Sequence, residues 1–247
     1  LSNYLPQQQP DILLTGKLTD DFAGLAIKRR LGLDTRLVAA VGTLLSGRFA
    51  AHPWNLIKIL RETRQIRQAY EQLDGITALT EHVARDLRDY FKIRDVPIGV
   101  LNNPIIPPDL ATLARAPCDH PWLAADQPSL VLAVGGLRKV KDFPTLLRAF
   151  ARLREVREVR LLILGEGKER RRLERLAMRL GVAGQVHLPG FVANPFPYMA
   201  RSRVLALTSV REGLGNVLVE AMALGTPVVA TECTEGIRVL LRDGKMG

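Results

Sequence analysis

The chain has 247 residues, of which 47% are hydrophobic and 24% charged, an ordinary globular composition with length for one or two domains. Its formal charge is +10 and only 5% of its residues are aromatic; no basic stretch is interleaved with aromatics, so nucleic acid is set aside as a partner. No apolar run approaches the ~18 residues of a membrane span, and Cys118 and Cys233, far apart and without metal-ligand spacing, read as free thiols of a reducing, cytoplasmic compartment.

The chain starts at Leu1 and stops at Asp-Gly-Lys-Met-Gly, which reads as an internal fragment. Pro10-Asp11-Ile12-Leu13-Leu14 is a short apolar run that reads as a strand. Residues 22–31 are helical, with Phe22, Leu25, Ala26 and the stem of Arg29 spaced for one face. Residues 36–41 form a second buried strand, and the alternation predicts a parallel sheet with helices on both sides. His52, in Ala-His-Pro-Trp, reads as a loop histidine. Residues 55–71 form a long amphipathic helix with Leu56, Ile59, Leu60, Ile66 and Tyr70 on one side and basic residues opposite. Core packing is one reading of this helix and a membrane-facing basic helix the other. Gly75 to Leu79 is a strand, Thr80 an N-cap, and residues 98–101 a strand closed by Asn102-Asn103-Pro104.

Residues 105–128, rich in proline and alanine and without periodicity, read as a linker between domains 1–104 and 129–247. Ser129 to Val134 opens a new strand–helix unit. The loop after it, Gly135 to Lys141, carries Arg138, Lys139 and Lys141, and Asp142 caps a helix to Leu153. Residues 160–164 and 186–188 are strands around a helix at 169–180. That helix carries Arg170, Arg171, Arg172, Arg175 and Arg179, which suit a solvated face or an anionic membrane surface. Pro189 to Val192 reads as a turn, 194–200 as a connector and 204–208 as a strand.

The densest pattern is Ser209 to Thr231, S-V-R-E-G-L-G-N-V-L-V-E-A-M-A-L-G-T-P-V-V-A-T. A loop to Gly215 leads into a helix at 216–224 and a strand at 228–231. Asn216 serves as N-cap and Gly225 as the C-terminal glycine. The helix is apolar nearly all round, which predicts burial. Its exception is Glu220, costly there unless paired or bound. Glu212 lies ahead of the helix. Two carboxylates around a helix N-terminus, with Gly213 and Gly215 in the entry loop, suit a ligand with hydroxyls at both ends and phosphate between them, such as a nucleotide sugar. The alternative is a core glutamate paired with an arginine.

From Glu212 to Val229 the chain meets every fixed position of E-G-x-x-N-x-x-x-E-A-x-A-x-G-x-P-V-V. It thereby resembles retaining glycosyltransferases of family 4, which have the GT-B fold. The resemblance implies an α/β architecture of two Rossmann-like domains facing a cleft. Here the N-terminal domain would be incomplete and the C-terminal domain would lack its last helices. It implies that Glu212 contacts the donor sugar and Glu220 the ribose. Lys141 matches the family's diphosphate-binding lysine, whereas Gly136 stands where an arginine is expected, leaving Arg138 or Lys139 to supply the second cation. Gly135, Gly136, Leu214 and the backbone near Gly213, Gly215 and Asn216 join the donor site, Phe191 and Val192 lie toward the base, and Gly236 assists at the diphosphate. Gly42 and Thr43 replace an acceptor-side His-Asn pair, while Glu81 and Asn103 fall in segments that relatives place near the cleft.

The implied function is metal-independent transfer of a hexose from a nucleotide sugar, UDP-sugar first, to a glycan or lipid-linked acceptor in envelope, exopolysaccharide or lipopolysaccharide synthesis. No cofactor is needed, and the site of action is cytoplasmic, at the inner face of the membrane. Gly136 and Gly42 keep a non-catalytic nucleotide- or partner-binding module open, and a GT-B sugar-nucleotide epimerase is the third reading. Base, sugar and acceptor stay open.

Overall fold

The computed structural model describes residues 4–49, 54–124, 126–242 and 244–245, and the chain divides into two compact units, Leu1–Asn103 and Pro104–Gly247. His52 lies outside the described residues.

The first unit is a parallel sheet in the order β1 (Ile12–Thr15), β2 (Arg36–Val41), β3 (Gly75–Ala78), β4 (Ile98–Val100). Between and around the strands run α1 (Tyr4–Gln8), α2 (Leu18–Leu31), α3 (Leu56–Tyr70) and α4 (Glu81–Arg85), the last passing into a π turn at Asp86–Tyr90. Parallel neighbours need a crossover, and the long helices supply it. In β2 the side chains of Leu37, Ala39 and Val41 alternate inward.

Two helix faces differ from the sequence expectation. In α2, Phe22, Ala26 and Arg29 face solvent, and Asp21, Gly24, Leu25 and Ile27 are buried. Gly24 lets the helix approach Leu37 closely, since a Cβ there would lie 3.1 Å from its Cδ1. Asp21 is admitted to the interior because the Tyr70 hydroxyl donates to its Oδ2 at 2.8 Å. Burial raises the Asp21 pKa. In α3, capped by the Asn55 side chain accepting from Lys58 N, only Ile59, Ile66, Ala69 and Tyr70 turn to the core. Leu56 and Leu60 point outward. Thr80 caps α4 as expected, accepting from Val83 N at 3.3 Å.

The second unit contains α5 (Leu110–Ala114), β5 (Ser129–Val134), α6 (Phe143–Arg154), β6 (Val159–Leu164), α7 (Arg170–Arg179), β7 (Val186–Gly190), α8 (Phe196–Arg201), β8 (Val204–Leu207), α9 (Asn216–Ala223), β9 (Val228–Ala230) and α10 (Glu235–Leu240). Its strands form one parallel sheet in the order β7-β6-β5-β8-β9. The central strands are buried on both faces, which is why they read as unbroken apolar runs. Val131, Ala133, Leu161 and Ile163 pack with Leu147, Phe150 and Leu173 on one side. Leu130, Leu132, Leu162, Leu164 and Leu205 pack with Met199, Leu218 and Ala221 on the other. Each such leucine removed from water contributes about 2 kcal/mol.

The segment read as a linker, 105–128, belongs to this unit. Leu110 of α5 is buried, and Trp122 and Leu123 pack against the core formed with α8 and α9. Asn194 Nδ2 donates to Leu113 O at 2.9 Å, and its Oδ1 accepts from Phe196 N at 3.2 Å. The same residue thus ties α5 down and starts α8 where a connector was expected. The turn expected at 189–192 begins later, because β7 continues through Pro189 to Gly190; β7 is an edge strand, where proline is tolerated. No described helix is long and apolar enough to cross a membrane.

Candidate functional site

In the second sheet β5 has β6 on one side and β8 on the other. The chain therefore turns to opposite sides after these two strands, and a crevice opens at their carboxyl ends. The loops that follow β5 and β8 carry the residues singled out in the sequence.

The β5 loop begins with Gly135 and Gly136. A Cβ on Gly135 would lie 3.2 Å from Lys141 Cε, and one on Gly136 would lie 3.4 Å from Arg138 Nε. The two glycines are thus a floor with one cationic side chain lying over each. Arg138 occupies the space beside Gly136, the position where the family pattern has its arginine, and it has no acidic partner among the described residues. Lys139 is exposed. Gly165, at the end of β6, adopts φ 143°, and a Cβ there would fall 2.0 Å from Gly135 O; only glycine lets the β5 and β6 loops meet this closely.

The β8 loop brings Glu212 to the same place. Lys141 Nζ lies 2.5 Å from Glu212 Oε1, with the two side chains 22% and 16% exposed. Ser209, 1% exposed, donates its hydroxyl to the same Oε1 at 2.6 Å. The loops are laced together by Thr208, whose Oγ1 donates to Lys141 O and Asp142 O at 3.1 Å, and by Val210 N, which donates to Val140 O at 2.9 Å. Thr231 closes the far side, its Oγ1 donating to Ser209 O at 2.6 Å. Cys233 lies close enough for the Glu212 charge to act on it; burial first, then that charge, pushes its thiol pKa up. Ser209, Thr208 and Thr231 had no role assigned from sequence. Their only signal was position beside the glutamate motif.

Gly215, with φ 75°, is the N-cap of α9 and Asn216 its first residue, so the expected capping role of Asn216 passes to the glycine. The left-handed geometry at 215 admits glycine readily and leaves the α9 N–H groups without a side-chain cap. The helix is less enclosed than its composition predicted. Leu218 and Ala221 are fully buried, while Val217, Val219, Glu220 and Met222 are half-buried and Asn216 and Ala223 exposed. Gly225 follows the helix at φ 74°, as expected.

Glu220 lies in the second turn of α9. Burial raises its pKa, and no other group contributes to the shift. Its carboxylate has no ion pair or hydrogen bond among the described residues, so it is not a core glutamate paired with arginine. A half-buried, unpartnered carboxylate is costly, and a ligand's hydroxyls would relieve the cost. Leu214 is half-buried in the entry loop, and Gly213 O lies 2.9 Å from where a Gly236 Cβ would be, so the first turn of α10 rests on that loop. Beyond β7, Phe191 is 79% exposed and Val192 packs into the core. Packing therefore accounts for Val192 and not for Phe191. In the first unit Glu81 pairs with Arg88 at 3.2 Å; Asn103 is exposed, and its neighbour Asn102 donates from Nδ2 to Leu79 O at 2.8 Å.

Residues 128–247 match the family described as Glycosyl transferases group 1. The lipopolysaccharide core biosynthesis glycosyltransferase LpsE of Rhizobium meliloti is 36% identical over 178 residues, covering 72% of this chain and 49% of its own. The N-acetylgalactosamine-N,N'-diacetylbacillosaminyl-diphospho-undecaprenol 4-alpha-N-acetylgalactosaminyltransferase of Campylobacter jejuni is 33% identical over 221 residues, 89% of this chain and 57% of its own. The chain spans about half the length of these curated relatives. Among solved structures, Anabaena HepE in complex with UDP and glucose superposes with a TM-score of 0.75 at 21% identity, over 97% of this chain and 64% of that one. The fold is GT-B, with parallel α/β sheets of Rossmann type, and together the likenesses support a GT-B glycosyltransferase.

Proposed function

We propose that this chain carries the donor site of a retaining, metal-independent hexosyltransferase of family 4 that uses a UDP-sugar and a lipid-linked or glycan acceptor in envelope glycan synthesis. The single observation behind the reading is Glu220, a half-buried carboxylate without a protein partner, on the helix that follows the Lys141–Glu212 pair. In this reading Glu220 accepts hydrogen bonds from the ribose hydroxyls and Glu212 from the donor sugar. Lys141 turns from Glu212 toward the diphosphate, and Arg138 supplies the second cation in place of an arginine at 136. The free N–H groups at the start of α9, next to Gly213, Leu214 and Gly215, add their dipole. Phe191 offers an exposed ring to the base.

The reaction forms a bond between the acceptor oxygen and the anomeric carbon and breaks the bond from that carbon to the diphosphate oxygen. The acceptor proton passes to the leaving phosphate oxygen, so no protein nucleophile takes part. Charge that develops on the diphosphate is met by Lys141 and Arg138 in a site already laced rigid by Ser209, Thr208 and Thr231, which is the arrangement that lowers a barrier most. The LpsE and undecaprenol-directed relatives support an envelope acceptor, and the UDP-bound neighbour supports a uridine donor. Action at the cytoplasmic face of the membrane follows from a lipid-linked acceptor.

The test is turnover by the whole protein with UDP-, GDP- and ADP-sugars. Release of UDP coupled to an α-linked product from an α-linked donor supports the reading. Release of UDP with an altered free sugar and no acceptor indicates an epimerase, and binding without release indicates a non-catalytic module.

A further inference from the structure

The loop that follows β5 has two sides. One side holds Gly135 and Lys141 against Glu212. The other backs onto the start of α6 and the first turn of α7. There Arg138, Lys139, Arg148 and Arg172 line a hollow of about 240 Å³. Its apolar lining, Phe143 and Leu173, is 5% and 0% exposed, so what the hollow offers to solvent is charge. Pockets for drug-sized molecules run to roughly 300–1,000 Å³; this one suits a smaller solute.

The charges around the hollow do not cancel. Four cations face two acids, Asp142 and Glu169, which leaves a charge of +2. Both acids are already engaged: Asp142 Oδ2 accepts from Thr145 Oγ1 at 2.7 Å, and Glu169 Oε2 accepts from Arg172 Nη1 at 2.8 Å. Arg138, Lys139 and Arg148 are exposed and have no acidic partner among the described residues. A helix that merely solvates itself spreads its cations along its own face, as α7 does with Arg175 and Arg179 beside the exposed Met178. Here the cations come from a loop, from α6 and from α7 and converge on one space. Like charges gathered in this way repel, and an anion between them removes the repulsion. The arginine fork matches phosphate oxygens two at a time. We propose that this hollow is a second anion site, outside the donor site, that takes a small phosphate-bearing solute, a free phosphate or diphosphate or a phosphorylated sugar.

Arg138 belongs to both sides of the loop. Its Nε lies 3.4 Å from where a Gly136 Cβ would be, and its side chain also lines the hollow. An anion in the hollow holds Arg138 there and withdraws it from the donor diphosphate, so occupation weakens donor binding. This coupling rests on the donor-site reading of the preceding section; the anion site itself does not.

The experiment is calorimetry on the whole protein saturated with UDP, titrated with inorganic phosphate, with pyrophosphate and with a hexose 6-phosphate. Parallel arms carry Arg148→Gln/Arg172→Gln and, on the same basic helix but away from the hollow, Arg175→Gln/Arg179→Gln. These side chains lie outside the core and the donor site, so circular dichroism and UDP affinity without added phosphate should match the parent in both. The parent and Arg175→Gln/Arg179→Gln should show one saturable site, and Arg148→Gln/Arg172→Gln should bind about tenfold or more weakly. The probe that saturates at the lowest concentration tells free phosphate, diphosphate and phosphorylated sugar apart. The same anion should raise the UDP dissociation constant several-fold to a plateau, the mark of two coupled sites rather than one shared site. No saturable binding by the UDP-saturated parent, or an equal loss in both double variants, would overturn the site. A rise in the UDP constant without a plateau would overturn the coupling through Arg138. A parent that fails to bind UDP would count against the donor site, and the same titrations of the free protein and its double variants would still decide the hollow.

Discussion

Replacing Glu220 separates a binding carboxylate from a structural one, because the two roles move stability and affinity in opposite directions. Burial alone raises its pKa, so the folded protein binds the proton more tightly than the unfolded chain does. The stabilising contribution of the protonated form is complete below the ordinary pKa of 4.5. It is lost as pH rises through the folded value. At neutral pH the ionised carboxylate therefore costs stability, and Glu220→Gln, which keeps the shape without the charge, should melt at or above the parent temperature. The difference should shrink as pH falls toward 4.5. Affinity should move the other way. Charge-assisted hydrogen bonds to ribose contribute about 1.5–3 kcal/mol, so Glu220→Ala should weaken UDP binding by roughly tenfold to more than a hundredfold, with Glu220→Gln in between. Calorimetry for binding and thermal denaturation across pH 4–8 read both. A less stable Glu220→Gln with unchanged UDP affinity would mean that the carboxylate holds the fold, and the donor-site reasoning would fail.

Other outcomes follow from the same geometry. Lys141→Ala and Arg138→Ala should each lower kcat by about a hundredfold, as expected for loss of one group that meets developing charge; in single-turnover assays, unchanged chemistry in Arg138→Ala would show that the space over Gly136 is not a cation site. Gly165→Ala puts a Cβ 2.0 Å from Gly135 O at φ 143°, a clash between backbones that no side chain can relieve, and should cost on the order of 4 kcal/mol or more. A melting temperature within a few degrees of the parent would refute that. Burial first, then His187 and Arg160, lower the His120 pKa; its Nε2 lies 2.8 Å from His187 Nδ1 and its Nδ1 accepts from Trp122 N at 3.2 Å. The stability this neutral ring contributes is present above pH 6.5 and is lost as pH falls through the lower folded value. Melting temperature should drop from pH 7.5 to pH 5, and the drop should be smaller in His120→Asn, whose Oδ1 can still accept from Trp122 N.

Much of this protein is written locally. The strands at 36–41 and 129–134 are bounded by the same residues in sequence and structure, because a short β-branched and apolar run needs no distant information to declare itself. The Glu212–Glu220 spacing, the glycines at 215 and 225 and the Thr80 cap are equally local. The strand–helix alternation of the first unit also foretold its parallel sheet. The tertiary structure decided what depends on who arrives from elsewhere. Whether 194–200 merely connects or turns helical depended on the packing that buries Met199, and whether 105–128 hangs free depended on the core that receives Trp122 and Leu123. Periodicity put Phe22 on the apolar face of its helix and grouped Leu56 and Leu60 with Ile59, Ile66 and Tyr70, but a helix buries the stripe that its neighbours cover. Gly24 and the Asp21–Tyr70 pair moved that stripe in α2. At the site, sequence named Lys141, Glu212 and Glu220 but could not pair them. The strand order put the β5 and β8 loops side by side, joined Lys141 to Glu212 through a carboxylate that Ser209 also holds, and left Glu220 with a charge and no partner.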